Sequence, residues 1–119
     1  MIDRQTLLDH CTGKKGITAG YPFGPDARVY KVMGKMFALV PEDEPLRISL
    51  KCDPTLAEIL RETYAAVVPG YHLNKRHWNT VTLDGEIPDD EIFEMVDNSY
   101  ALVVKGLKKA DRERLNGIS

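Results

Sequence analysis

The residues best suited to chemistry lie in one short run, residues 71–78, where cations, aromatic rings and amides are interleaved. Lys75 and Arg76 carry fixed positive charges, and the two histidines of the run add charge below about pH 6.5. Cations interleaved with aromatic rings suit a phosphate backbone and its bases. We therefore treat this run as the leading candidate for binding a nucleic acid or another anion. Its candidate residues are Tyr71, His72, Asn74, Lys75, Arg76, His77 and Trp78.

A purely structural interpretation of the same run stays open. Trp78 would then be a core residue at the start of a strand, and Asn74 would cap a turn. The cations would simply face water.

Four more cations are candidates for the same surface. Arg47 and Lys51 fall on the polar side of an alternating strand, and Lys31 and Lys35 line a predicted hairpin that could act as a wing. If the strand that starts at Trp78 neighbours the strand of Lys51, these residues share one face with the run. The alternative is an ordinary sheet face exposed to water.

Other kinds of chemistry have little support. The histidines at 72 and 77 are five residues apart, and the chain has neither a His-Glu-x-x-His nor a Cys-x-x-Cys motif. Cys11 and Cys52 fall on predicted buried stripes, where thiols are reduced and inert. We therefore expect no metal, no cofactor, no disulfide and no enzymatic activity.

The composition is that of one small folded domain spanning residues 1–119. Of its residues 43% are hydrophobic and the formal net charge is −2, which argues against disorder and against a coat of positive charge over the whole surface. Seven acidic residues between Asp84 and Asp97 offset the basic run and a basic C-terminal end. The chain has no apolar leader and no membrane-length apolar segment, so we expect a cytoplasmic protein that does not enter a membrane.

The hydrophobic periodicity predicts the elements that position these residues. Asp53 followed by Pro54 is a strong helix start, and residues 46–52 alternate as a strand with one buried face and one face exposed to water or available for binding. Gly34-Lys35 suits a two-residue hairpin turn. The predicted elements are helix 3–11, an irregular segment 17–27, strands 28–33, 36–40 and 46–52, a helix from 54 to about 66, strand 78–83, and a long helix from about 88 with one further turn at 111–115. The order α-β-β-β-α-β-α predicts an α+β two-layer sandwich with a mainly antiparallel sheet and its helices on one face.

Several stretches resemble the MmcQ/YjbR-like family, in the order expected and across nearly the whole chain. The most specific is the run HLNKRHWNTV at residues 72–81, and the others are FGPD at 23–26, YKVMGKMF at 30–37, SLKCDP at 49–54, LDG at 83–85 and IPD at 87–89. The resemblance implies a frataxin-like (CyaY-like) α/β sandwich. Members are commonly labelled DNA-binding, so the resemblance also implies DNA as a partner.

The sequence thus leads to two functional hypotheses. The first is a protein that binds DNA through phosphate contacts made by its local basic and aromatic surface. The second is a module that binds an unidentified protein or a small ligand on the same sheet face, which predicts a defined pocket beside His72 and Trp78. The sequence fixes no oligomeric state.

Overall fold

The computed structural model describes residues 1–70 and 73–118, which form a six-stranded sheet with four helices. The elements are α1 (Arg4–Thr12), β1 (Ile17–Gly20), β2 (Ala27–Val32), β3 (Lys35–Pro41), β4 (Arg47–Lys51), α2 (Pro54–Thr63), β5 (Val67–Pro69), β6 (Trp78–Thr82), α3 (Asp89–Lys105) and α4 (Lys109–Asn116). The strand order is β1-β2-β3-β4-β6-β5, and every neighbouring pair is antiparallel.

One core joins the sheet to the helices. Tyr30, Ile48 and Val81 point from the sheet into the same cluster as Leu7 of α1 and Val96 of α3, and all are at most 2% exposed. Burial of this apolar surface is the main source of stability. The α+β two-layer class is confirmed.

The predicted helix starts are confirmed in detail. Asp3 accepts a hydrogen bond from the backbone N–H of Thr6 at 2.8 Å. Asp53 accepts from the N–H groups of Thr55 and Leu56, and Pro54 follows it at the first helical position. Such caps satisfy N–H groups that lack a partner within the helix.

Two strands were absent from the sequence prediction. The segment 17–27, expected to be irregular, begins with β1, and the predicted end of α2 at about residue 66 is wrong because the helix stops at Thr63 and β5 follows. Both strands are short and lie at the two edges of the sheet. An edge position tolerates Gly20 and Pro69, because one side of the backbone needs no strand partner there.

Two local predictions are also corrected. The hairpin turn is Met33-Gly34 and not Gly34-Lys35; both residues have positive φ, 49° and 82°, as a type I′ turn requires. Cys11 is buried as expected, but Cys52 is only partly buried, and both are free thiols.

The longest helix, α3, has 17 residues and begins with three acidic ones, Asp89, Asp90 and Glu91. Across residues 1–70 and 73–118, no helix is both long and apolar enough to cross a membrane.

Candidate nucleic-acid interface

The sheet register brings part of the predicted basic surface together. β4 pairs with β6, as the shared surface requires, and Lys51 lies directly opposite Trp78. Lys31 lies at the same end of the sheet, because β2 pairs with β3 at Met36 and β3 pairs with β4 at Ala38 and Leu50. β2 and β4 are two strands apart, so the backbones at Lys31 and Lys51 are about 10 Å apart.

The loop of residues 73–77 has a defined local structure. The Asn74 side-chain oxygen accepts from the N–H of Arg76 at 3.0 Å, and the Asn74 carbonyl accepts from the N–H of Trp78 at 2.9 Å. The N–H of Cys52 donates to the His77 carbonyl at 2.7 Å, which ties the loop to the end of β4. Asn74 therefore caps a turn, as the structural interpretation proposed. Tyr71 and His72, predicted as site residues, lie outside the described residues.

Arg61 of α2 holds this loop from the helix side, and it was not among the site residues predicted from the sequence. Its guanidinium donates to the side-chain oxygen of Asn79 at 2.7 Å and to the carbonyls of Trp78 and Lys75. Asn79, 2% exposed, also donates to the carbonyl of Ala57 at 3.3 Å. The sequence signal for this contact was weak: it consisted of an arginine near the end of a predicted helix and an asparagine in the predicted strand 78–83.

Within residues 1–70 and 73–118, the cations at this end of the sheet have no acidic partner. Lys35, Lys75 and Arg76 are exposed, and Lys31 and Lys51 are half-buried. Among the described residues, no carboxylate lies within ion-pair distance of any of the five. His77 and Trp78 are half-buried beside them.

Arg47 lies at the other end of the same face. It pairs with Thr82 on β6, four residues along from the pair of Lys51 and Trp78. Its guanidinium donates to the carboxylate of Asp43 at 2.8 Å. The structure therefore separates Arg47 from the other candidate cations and neutralises it.

The centre of this face is covered, so the expectation of a water-exposed strand face is wrong there. Ser49 and Thr80 are 3% and 6% exposed and share a hydrogen bond of 2.8 Å between their hydroxyls. Val29 on β2 lies in the same row across the sheet and is 1% exposed.

A cavity of about 870 Å³ opens at the Arg47 end of the face. Its walls come from β2, β3 and β4, the loop after β1, the turn between β3 and β4, and Leu73. The lining residues are Phe23, Asp26, Ala27, Leu39, Pro41, Glu42, Asp43, Arg47 and Leu73. Trp78 is not among the described residues that line this cavity, and His72 lies outside the described residues, so the pocket expected beside these two residues stays a prediction.

A second group of cations, with no ion pair to any described residue, lies at the end of α3 and on α4. Asp111 and Glu113 are interspersed among them, and Asp111 pairs with Arg114. This group has no aromatic residue adjacent to it in sequence, so it is a control for the cations at the Lys51 end. Its members are Lys105, Lys108, Lys109 and Arg112.

The thiols are poor nucleophiles near neutral pH. Burial raises the pKa of Cys11 to about 12. Burial also raises the pKa of Cys52, and the nearby Asp53 carboxylate adds to the increase. Thiol attack requires the thiolate, so neither residue is activated. Within the described ranges, no three His, Cys, Asp or Glu residues come together as a metal-binding group.

The chain is similar to proteins of one family over most of its length. The YjbR family model matches residues 12–102. YjbR of Escherichia coli K12, an uncharacterised protein, is 42% identical over 110 residues, covering 92% of this chain and 93% of the relative. YbdF of E. coli O157:H7, also uncharacterised, is 38% identical over 121 residues, covering 96% and 98%.

Solved structures agree with this assignment. The crystal structure of Deinococcus radiodurans protein DR2400, which contains a DUF419 domain, superposes with a TM-score of 0.88 at 40% identity, covering 94% of this chain and 86% of that one. A Pseudomonas syringae protein gives a TM-score of 0.72 at 28% identity, covering 85% and 98%. The extent of the sequence match, together with the shared fold, places this chain in the YjbR family.

Proposed function

We propose that this protein binds DNA through phosphate contacts at the Lys51 end of the sheet face that carries Arg47 and Lys51. The observation that carries the proposal is a group of five cations toward the Lys51 end of the sheet for which the described residues provide no ion-pair partner. This basic end consists of Lys31, Lys35, Lys51, Lys75 and Arg76. Cations already neutralised within the protein gain less from a phosphate, whereas unpaired ones release counterions from DNA on binding.

The proposed contacts come from two projections on either side of Lys51. The β2–β3 hairpin carries Lys31 and, directly after its tight turn, the exposed Lys35, which the register places opposite the core residue Val32. The loop of residues 73–77 presents Lys75 and Arg76. Both projections are held by backbone hydrogen bonds, so binding would order few main-chain groups. His77 ends the second projection and Trp78 follows it opposite Lys51, so both could contact bases or sugars.

The geometry narrows the set of residues predicted from the sequence. Arg47 is left out of the proposal, because it is paired with Asp43 at the opposite end of the face. Asn74 acts through the shape of the loop, because its side-chain oxygen is engaged by Arg76. Tyr71 and His72 stay predictions.

The first test is a titration of labelled duplex DNA at two salt concentrations, followed by fluorescence anisotropy. With three to five phosphate contacts, affinity should fall about 40- to 500-fold between about 50 mM and about 200 mM salt. Binding that does not respond to salt, or none at the lower concentration, contradicts the proposal.

The second test locates the site with two double variants of equal charge change. Lys75→Ala with Arg76→Ala should weaken binding and lower the salt slope by about 1.8. Lys108→Ala with Lys109→Ala removes the same charge from the group on α4 and should leave the slope almost unchanged. If both double variants lose DNA affinity equally, the attraction of DNA is spread over the protein surface and the basic end is not a binding site.

A further inference from the structure

We propose that the cavity at the Arg47 end, named here the acidic pocket, binds a small organic cation with an apolar body and a protonated amine. The pocket is distinct from the basic end, and the inference does not depend on DNA binding.

The size and lining of the acidic pocket suit a small molecule. Its volume of about 870 Å³ is within the range of ligand sites in proteins, about 300–1,000 Å³. Leu39, Leu73 and Phe23 are among its apolar lining residues. Phe23 is 71% exposed, which is costly for a ring in water and is relieved when an apolar group covers it.

The charges at the rim favour a cation. Among the described lining residues, three are carboxylates, Asp26, Glu42 and Asp43, and one is a cation, Arg47. Arg47 is already used, because its guanidinium donates to Asp43. An amine placed at the rim would meet an excess of negative charge, and an anion would be repelled.

The neighbouring contacts leave one carboxylate available. Glu42 accepts a hydrogen bond from the hydroxyl of Tyr21 at 2.7 Å, and Asp43 is engaged by Arg47. Asp26 is exposed, and within the described part of the chain its carboxylate makes no ion pair. Asp26 is therefore the residue that would receive the amine, with the apolar body lying over Leu39 and Phe23.

The experiment compares three probes of similar shape by two-dimensional NMR of the labelled protein. Phenethylammonium carries the amine, 2-phenylethanol is neutral and 3-phenylpropionate is an anion. Phenethylammonium should bind with millimolar affinity and shift the resonances of Leu39 and Leu73. Its affinity should be about two- to fivefold higher than that of 2-phenylethanol, and its advantage over 3-phenylpropionate should be larger. Shifts spread over the surface, no binding, or equal affinity for all three would overturn the proposal.

Two variants complete the test. Asp26→Asn should weaken the binding of phenethylammonium about two- to fivefold and leave the affinity for 2-phenylethanol unchanged. The control Asp90→Asn removes an exposed carboxylate in the first turn of α3 and should alter neither affinity. The pair Lys75→Ala with Arg76→Ala should retain full binding of phenethylammonium, so that failure of DNA binding and failure of this site are separate results. An effect of Asp90→Asn equal to that of Asp26→Asn would indicate general charge attraction and refute the site.

Discussion

Arg61 should be worth more to stability than any exposed cation of the protein, because it joins α2 to the loop that carries Lys75. Replacement by alanine removes a charged hydrogen bond to Asn79 at 2.7 Å and the contacts to two backbone carbonyls. Asn79 is almost fully buried, so its side-chain oxygen would lose a partner that water cannot easily replace. A hydrogen bond to a charged group contributes about 1.5–3 kcal/mol, and we expect Arg61→Ala to lower the free energy of unfolding by about that amount.

Urea unfolding measures this loss, with Arg112→Ala as the matched control. Arg112 is exposed on α4, and its removal should change stability by less than about 0.5 kcal/mol. Arg61→Lys keeps the charge but loses the planar fork, so it should recover only a minor part of the loss. Hydrogen exchange at Cys52 N–H, which donates to His77, should accelerate in Arg61→Ala. A loss below about 0.5 kcal/mol, or unchanged exchange, would refute the role of Arg61 in fixing the loop.

Three further predictions follow from local contacts. Burial alone would raise the pKa of Asp97, but hydrogen bonds from Lys14 and the His10 imidazole hold this pKa below its usual value. The carboxylate therefore stabilises the folded state above its unfolded-state pKa of about 3.9, and this stabilisation is lost as pH falls through the folded-state pKa. Asp97→Asn should accordingly flatten the acid limb of a stability–pH curve. Asp53→Ala removes the cap of α2 and should cost about 1 kcal/mol in urea unfolding, whereas an equal stability would show that the cap is dispensable. In the native protein, iodoacetamide should modify Cys52 before Cys11, because Cys11 is fully buried and its pKa is about 12; faster modification of Cys11, followed by mass spectrometry, would contradict that order.

The strongest local signals in the sequence predicted the fold class correctly. The alternation of residues 46–52 became β4, and the Asp53-Pro54 pair became the start of α2, because both patterns are decided by neighbours within a few residues. The edge strands β1 and β5 were missed because β1 has four residues and β5 has three, too few to show an alternating pattern. Each also contains or adjoins glycine or proline, which are typical of loops. The turn at Met33-Gly34 was shifted by one residue because a methionine with positive φ carries no sequence signature.

The site was predictable only where it is local. Residues 73–77 were selected because their cations and aromatic rings are adjacent in sequence. Arg47 was grouped with Lys51 because both point to the same side of one strand, but a strand of five residues also separates its ends by more than 10 Å. Arg47 is neutralised by Asp43, which the turn before β4 brings close, and the loop is held by Arg61, which the packing of α2 brings close. No spacing in the sequence predicts either contact.

The separation of charge along one sheet face constrains how DNA could approach. A duplex laid along the strands of β4 and β6 would pass from Lys51 across the covered centre to Asp43 and Glu42, where carboxylates oppose its phosphates. A duplex crossing the strands at the Lys51 end would meet the hairpin and the loop of residues 73–77 and avoid the acidic pocket. The second orientation is therefore favoured electrostatically, and it explains how a chain of net charge −2 could hold DNA. Asp43→Lys should accordingly leave the salt slope of DNA binding nearly unchanged, and a slope raised by about 0.9 would show that the backbone runs the length of the face.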